Sequence, residues 1–282
     1  MNKLETLMER PAWAPQGIDL TVPSVSRIYD YYLGGSHNFE VDRDAGRKAT
    51  EAWPGLPKIM QANRAFMRRA IRYAAEQGVT QFLDIGSGIP TFGNVHEVAL
   101  KADPAAHVVY VDNDPVAVAH SRAVLHDCDQ ADVVSADFRS PQDVLLSTEV
   151  ERLLDFDRPV AVLLVALLHF VEDKDDPWKT VAEFRDALAP GSLLVLSHAG
   201  EGETRRPARA EEFMDVYRNF GSPLSLRPRE EVLRFFDGFE LVEPGLVAMP
   251  RWRPDSPPEQ EDPVTFGGFA GVGTVPASGH LG

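Results

Sequence analysis

Five short apolar runs, each separated from the next by a stretch of helical character, constrain this chain more than any single motif. The runs cover residues 81–85, 107–111, 132–136, 159–167 and 192–197, with helical patterns near 92–102, 114–126, 141–151 and 177–189 between them. Strands that alternate with helices pair in parallel, because a parallel connection needs a crossover long enough to cross a sheet face. Both faces of such a sheet are then covered by helices. Right-handed crossovers narrow the topology to a doubly wound α/β arrangement.

The flanks read differently. Residues 1–23 form an irregular arm punctuated by Pro11, Pro15, Gly17 and Pro23. Ser24 to Leu33 reads as a short helix that stops at Gly34-Gly35, and a second helical stretch runs from about Asp42 to Trp53, before Pro54. Residues 57–77 have Ile59, Ala62, Phe66, Ala70, Tyr73 and Ala74 at helical spacing, closed by Gly78. The expected division is therefore an arm and helical lid over 1–56 and a main domain over 57–282. Near the C-terminus, 206–220 and 229–236 read as helices, and 239–242 and 266–275 as strands joined by a link containing Pro250, Pro254, Pro257 and Pro258. A closing antiparallel pair is foreign to dinucleotide-binding sheets.

Charge and composition exclude several classes. The net charge of −15 repels nucleic acid. Arg64, Arg68, Arg69 and Arg72, and separately Arg205, Arg206 and Arg209, read as solvated or ion-paired helix faces. The longest apolar run, Val160 to Val171, is about a dozen residues and is interrupted by His169, whereas a membrane span needs about 20. The N-terminus lacks an apolar core of leader length. Cys128 is the single cysteine, so no internal disulfide forms and no metal-ligand spacing exists. A cytoplasmic protein with no structural metal is expected.

The chemistry gathers at Phe82-Leu83-Asp84-Ile85-Gly86-Ser87-Gly88-Ile89-Pro90-Thr91, where an apolar strand runs into a glycine turn. Glycines there tolerate positive φ and let the backbone approach a ligand. The next strand ends in Asp112-Asn113-Asp114, and the third in Asp137-Phe138. A carboxylate at Asp112 can accept both hydroxyls of a ribose. Asp137 can accept the exocyclic amine of adenine, with Phe138 packing nearby. Asp114 before Pro115 reads as a helix N-cap. An NAD site shares the turn and the first acid, but Thr91 stands where its third glycine belongs, and NAD gives no reason for Asp137. The pattern favours S-adenosylmethionine.

These residues resemble the first motif of class I methyltransferases, Asp84-Ile85-Gly86-Ser87-Gly88, with Asp112 and Asp137 at the ribose and adenine positions. More narrowly, the chain resembles the bacterial S-adenosyl methyltransferase family, formerly a domain of unknown function. Carrying that resemblance are Pro23 to Gly35, His37-Asn38-Phe39, Asp42-Arg43, Asn63-Arg64-Ala65-Phe66, Gly86 to Thr91 and Val111 to Pro115. It implies a seven-stranded, mostly parallel Rossmann-like sheet with a terminal antiparallel strand and an N-terminal helical extension. It implies S-adenosylmethionine, met by Asp84, Gly86, Ser87, Gly88, Asp112, Asn113, Asp137, Phe138 and Ala166. It leaves the methyl acceptor unnamed. Pro90 replaces a third glycine of the broad class and removes one N–H donor. The fourth strand ends Val165-Ala166-Leu167-Leu168-His169, without the Asp/Asn-Pro-Pro-Tyr signature of nucleic-acid amino-methylating enzymes. A small-molecule acceptor is therefore expected, with no nucleic-acid or membrane partner.

Methyl transfer from a sulfonium is an in-line displacement that needs alignment and a dry site. A base is needed only when the nucleophile must shed a proton. His169 is the first candidate base, His198 the second, and Tyr32 in the lid a third catalytic candidate. Tyr31 and His37 share that lid, with Gly34-Gly35 as its hinge. Asn38 and Arg64 are expected at the methionine end of the cofactor. Two other readings stay open: a non-catalytic S-adenosylmethionine sensor or scaffold, and an NAD-dependent oxidoreductase.

Overall fold

A computed structural model describes residues 14–16, 18–90, 93–201, 209–255 and 267–277. Its central sheet has the strand order β3-β2-β1-β4-β5-β8-β7, and the short β6 pairs with the far end of β5. The strands are β1 (Gln81–Ile85), β2 (His107–Asp112), β3 (Ala131–Ser135), β4 (Ala161–Val165), β5 (Leu193–Glu201), β6 (Arg227–Pro228), β7 (Glu240–Leu241) and β8 (Gly268–Thr274). Strands β1 to β5 pair in parallel, while β8 runs antiparallel to β5 and β7. This is the expected mostly parallel α/β sheet with an antiparallel ending. The order reverses between β1 and β4, so a crevice opens at the strand C-termini there.

Alternate residues of the inner strands enter two separate cores. Phe82, Val108, Tyr110, Leu163 and Val195 face one, and Leu83, Val109, Val111, Leu164 and Leu196 the other. Period-two alternation with both faces buried explains why the runs are apolar at nearly every position. The first core is covered by α1 (Val25–Tyr32), α2 (Glu40–Ala52), α3 (Leu56–Glu76), α4 (Val95–Ala102), α5 (Pro115–Val124) and α9 (Ala210–Arg218). The second is covered by α6 (Pro141–Leu145), α7 (Thr148–Leu153), α8 (Pro177–Asp186) and α10 (Arg229–Leu233).

Several boundaries differ from the sequence reading. The helix expected over 141–151 is two short helices, broken where the Ser147 hydroxyl donates to the Val144 carbonyl at 2.7 Å. The fourth strand stops at Val165, because Ala166 turns to φ 59°. Helix α3 begins at Leu56, so the expected boundary at 56/57 falls at its start. Helices α1 and α2 pack on α3 and α9. Most of the expected arm lies outside the described residues, as do Thr91, Arg205, Arg206 and much of the proline-containing link. No described helix is long and apolar enough to cross a membrane.

Candidate active site

The glycine turn is held from below by the neighbouring strand. The N–H groups of Gly86 and Ser87 both donate to the Val111 carbonyl, at 2.8 and 3.1 Å. Gly86 and Gly88 take φ values of 73° and 68°, a conformation that resists a side chain. A Cβ on Gly86 would also come within 2.7 Å of Leu167 Cδ1, whereas the space beside Gly88 is open. The Asp112 carboxylate completes the turn, accepting from Gly88 N at 2.7 Å and Asp114 N at 2.8 Å. Burial nevertheless pushes its pKa up to about 6. The expected N-cap at Asp114 forms, accepting from Val116 N at 2.7 Å, and the Ser24 hydroxyl donates to its other oxygen. The N-terminal segment is thus tied to the end of β2.

An open cavity lies above this turn. Asp84, Gly86, Ser87, Gly88, Ala166, His169, His198, Tyr32 and Arg64 of the expected site all line it. Asp84 is buried, and no described donor is hydrogen-bonded to its carboxylate. Desolvation pushes its pKa up to about 7, Arg64 works against that rise, and Asp112 adds to it. The Ser87 hydroxyl is also buried, with no hydrogen-bond partner among the described residues. Buried polar atoms without partners are rare in folded proteins. An orphan carboxylate, an orphan hydroxyl and an open glycine cradle side by side suit a ligand bearing an ammonium group and further polar atoms. That is the chemistry of the amino-acid end of S-adenosylmethionine.

Five expected cofactor residues, Asp112, Asn113, Asp137, Phe138 and Asn38, are not among those that line the cavity, whereas Arg64 is. Asp137 binds Arg139 through Nε at 2.9 Å and Nη2 at 2.6 Å, and accepts from Asn113 Nδ2 at 3.1 Å. Those contacts, Arg139 foremost, hold its pKa down at about 2. Phe138 is buried in the second core, stacked on Phe184 with ring centroids 5.9 Å apart. Asn38 is buried and donates to Asp30 Oδ2 at 2.8 Å and to the Gly35 carbonyl at 3.0 Å. It closes the loop after α1. Arg64 reaches Asn94 Oδ1 at 3.3 Å and the Gly93 carbonyl at 3.5 Å.

The two histidines are wired in ways the sequence did not foretell. His169 Nδ1 accepts from Ala199 N at 3.2 Å. Its proton therefore sits on Nε2, and burial with the charge of Arg227 pushes its pKa down to about 3. This neutral tautomer offers a donor rather than an acceptor on the nitrogen that is not bonded to Ala199. His198 is buried, with Nδ1 donating to the Ala199 carbonyl and Nε2 accepting from Arg227 Nη1 at 3.0 Å. Both its nitrogens are engaged. Arg227 is 2% exposed and also donates to Leu168 O at 2.8 Å, Val171 O at 2.7 Å and Asp173 Oδ1 at 2.6 Å. It clamps the turn after β4 to β6. Tyr32 and Tyr217 are buried and share a hydroxyl hydrogen bond of 3.0 Å, joining α1 to α9.

Sequence reasoning missed the polar chain across the cavity floor. Ala166 N donates to Ser197 Oγ at 3.0 Å, and that hydroxyl donates to Asn63 Oδ1 at 2.6 Å. Asn63 Nδ2 then donates to the Tyr29 hydroxyl at 2.9 Å. This chain holds the one cavity-lining residue that adopts a left-handed conformation without being glycine, Ala166, where stored strain is a recognised mark of function. Asn63 falls within the Asn63-Arg64-Ala65-Phe66 segment, which was the available signal. Arg227 offered none.

Comparison with known proteins agrees with this geometry. The pattern of the S-adenosyl methyltransferase family matches residues 11–276. A protein provisionally described as a methyltransferase, from Thermobifida fusca YX, is 40% identical, with a TM-score of 0.88 over 94% of this chain and 100% of its own. A DUF574 family protein from Streptomyces avermitilis MA-4680 is 37% identical, with a TM-score of 0.87 over 92% of this chain and 99% of its own. No curated protein sequence matches. With its family pattern spanning both the turn and the closing antiparallel strand, the chain belongs to the S-adenosyl methyltransferase family.

Proposed function

We propose that this protein transfers the methyl group of S-adenosylmethionine, the cofactor of its family, to a small uncharged acceptor bound in the same cavity. The carrying observation is the Asp84 carboxylate, buried beside the glycine turn with no hydrogen-bonded partner among the described residues. A buried lone carboxylate costs several kcal/mol unless a cation meets it. The cofactor's ammonium group supplies that cation.

The chain's own groups divide the remaining work. Asp84 accepts from the ammonium group, and Ser87 Oγ offers one further polar contact. Asp112 fixes Gly88 and keeps free lone pairs for the ribose hydroxyls. Asp137, Asn113 and Arg139 form a polar rim for the adenine end. When bound, the cofactor supplies an electrophilic methyl on a positively charged sulfur. Ser197 and Asn63 hold the Ala166 backbone against the reacting region. His169 presents its Nε2–H to the cavity and can orient an acceptor atom without taking its proton. Apolar side chains such as Met60, Met67, Leu224 and Leu226 line the rest of the wall and exclude water. The net charge of −15 supports an acceptor other than nucleic acid.

The test is formation of S-adenosylhomocysteine from S-adenosylmethionine in the presence of a panel of uncharged metabolites. Acceptor-dependent formation that Asp84→Asn slows is the expected result. Tight cofactor binding with no transfer to any acceptor would point to a sensor or scaffold instead.

A further inference from the structure

The half of the cavity away from the glycine turn is walled by aromatic rings. Trp53 of α2 meets Phe213 of α9 at 76° with centroids 5.3 Å apart, and Phe213 meets Tyr217 at 66° and 5.3 Å. Phe170, after β4, lies 5.9 Å from Tyr217. Rings set nearly at right angles form a corner, and all four residues line the cavity. Gly267 keeps that corner tight, since a Cβ there would come within 2.6 Å of the Trp53 ring. Among the described lining residues, Asp84 and Arg64 are the only carboxylate and the only guanidinium or ammonium group, and they come from β1 and α3 rather than from this wall.

Among the described residues of the same half, no group is placed to take a proton. His169 carries its proton on Nε2, His198 is held at both nitrogens, and the hydroxyls of Tyr32 and Tyr217 are bonded to each other. Burial pushes the Tyr217 pKa up to about 12, and that of Tyr32 well above its ordinary value. Asp84 is engaged by the cofactor in the reading above, on which this inference rests.

We infer that the methyl acceptor is a neutral tertiary amine, and that the corner of Trp53, Phe213 and Tyr217 holds the quaternary ammonium group created by transfer. The nitrogen lone pair forms the new N–CH₃ bond. The S–CH₃ bond breaks and its electron pair stays on sulfur, leaving a neutral thioether. One positive charge moves from sulfur to nitrogen, and no proton is released, so no base is required. Aromatic faces attract such a charge through their quadrupole, and most strongly where water is excluded. A desolvated site also favours the unprotonated amine over its ammonium form. The protein's net charge of −15 raises the local concentration of cationic and amine ligands.

The test uses an isosteric pair, 3-hydroxyphenyltrimethylammonium and 3-tert-butylphenol, titrated calorimetrically into the full chain saturated with S-adenosylhomocysteine. The two differ in charge but hardly in shape. The cation is expected to bind at least tenfold more tightly, and Phe213→Leu is expected to reduce that preference. Equal or tighter binding of the neutral phenol by the wild-type protein would overturn the inference, as would failure of both to bind. S-adenosylhomocysteine affinity, measured first in the same cell, separates the outcomes. If it binds while the cation shows no preference, the acceptor class is wrong and the cofactor site stands. If it does not bind, the cofactor reading itself fails.

Discussion

At the scale of single residues, protonation decides what this cavity can do. Asp84 and Asp112 hold protons more tightly when folded, at about 7 and about 6, than their ordinary value of 3.8. Folding therefore takes up protons, and the stability these two groups supply is complete below about pH 4 and lost as pH rises through 6 and 7. Asp84→Asn should flatten the slope of unfolding free energy between about pH 5 and pH 7, as measured by urea titration. An unchanged slope would contradict the burial argument. Cofactor binding near pH 6 should release up to about one proton from Asp84, because an ammonium partner favours the carboxylate. Calorimetry in buffers of different ionisation enthalpy reads that release, and Asp84→Asn should abolish it. His169, neutral with a pKa of about 3, should contribute no limb to a pH–rate profile between about pH 5 and pH 8. A limb near its ordinary value that His169→Gln removes would restore it as a base. The sequence identified Asp84, Gly86, Ser87 and Gly88 because strand, turn and acid are contiguous. It could not assign the histidines, since a tautomer depends on which backbone N–H or guanidinium lies opposite each ring nitrogen. Nor could it say that the Phe138 ring packs on Phe184, because alternation after a strand end does not say which face a ring will join.

At the scale of elements, the turn after β4 joins a left-handed non-glycine residue to a buried clamp. Ala166 takes φ 59°, and the turn that follows is gripped by Arg227 from β6. Arg227→Met should destabilise the fold by about 2–4 kcal/mol, because the Leu168 and Val171 carbonyls and His198 Nε2 lose their donor together, while Asp173 is exposed enough to be solvated. Chemical denaturation measures this, and a loss below about 1 kcal/mol would mean the clamp carries little. Ser197→Ala should weaken acceptor-dependent turnover more than cofactor affinity, since it leaves the Ala166 N–H only its 3.2 Å bond to the Ser197 carbonyl and cuts the link to Asn63 without touching the glycine turn. The strands β1 to β5 were readable because two-faced burial leaves an apolar run with little else it can be. Strand β6 was not, since two residues paired at the end of β5 carry no periodicity. The break between α6 and α7 was equally hidden, because the Ser147 bond to Val144 competes with helix only locally.

At the scale of the whole molecule, helices far apart in sequence meet at the cavity. Helices α1 and α2 from the N-terminal side and α9 from the C-terminal side close its outer wall, joined by the Tyr32–Tyr217 hydrogen bond. The strongly acidic surface should leave the protein without measurable affinity for duplex DNA or transfer RNA at about 0.15 M salt, where phosphate contacts are already weakened. Salt-sensitive binding in a gel-shift assay would contradict that. The most direct test of the central claim is calorimetric titration of the protein, shown free of copurified ligand, with S-adenosylmethionine, S-adenosylhomocysteine and NAD. The account predicts micromolar binding of both sulfur compounds, weakened about tenfold or more by Asp84→Asn through loss of a charged hydrogen bond, with no heat from NAD. Absence of binding by both sulfur compounds to the folded protein, or binding indifferent to Asp84→Asn, would contradict it.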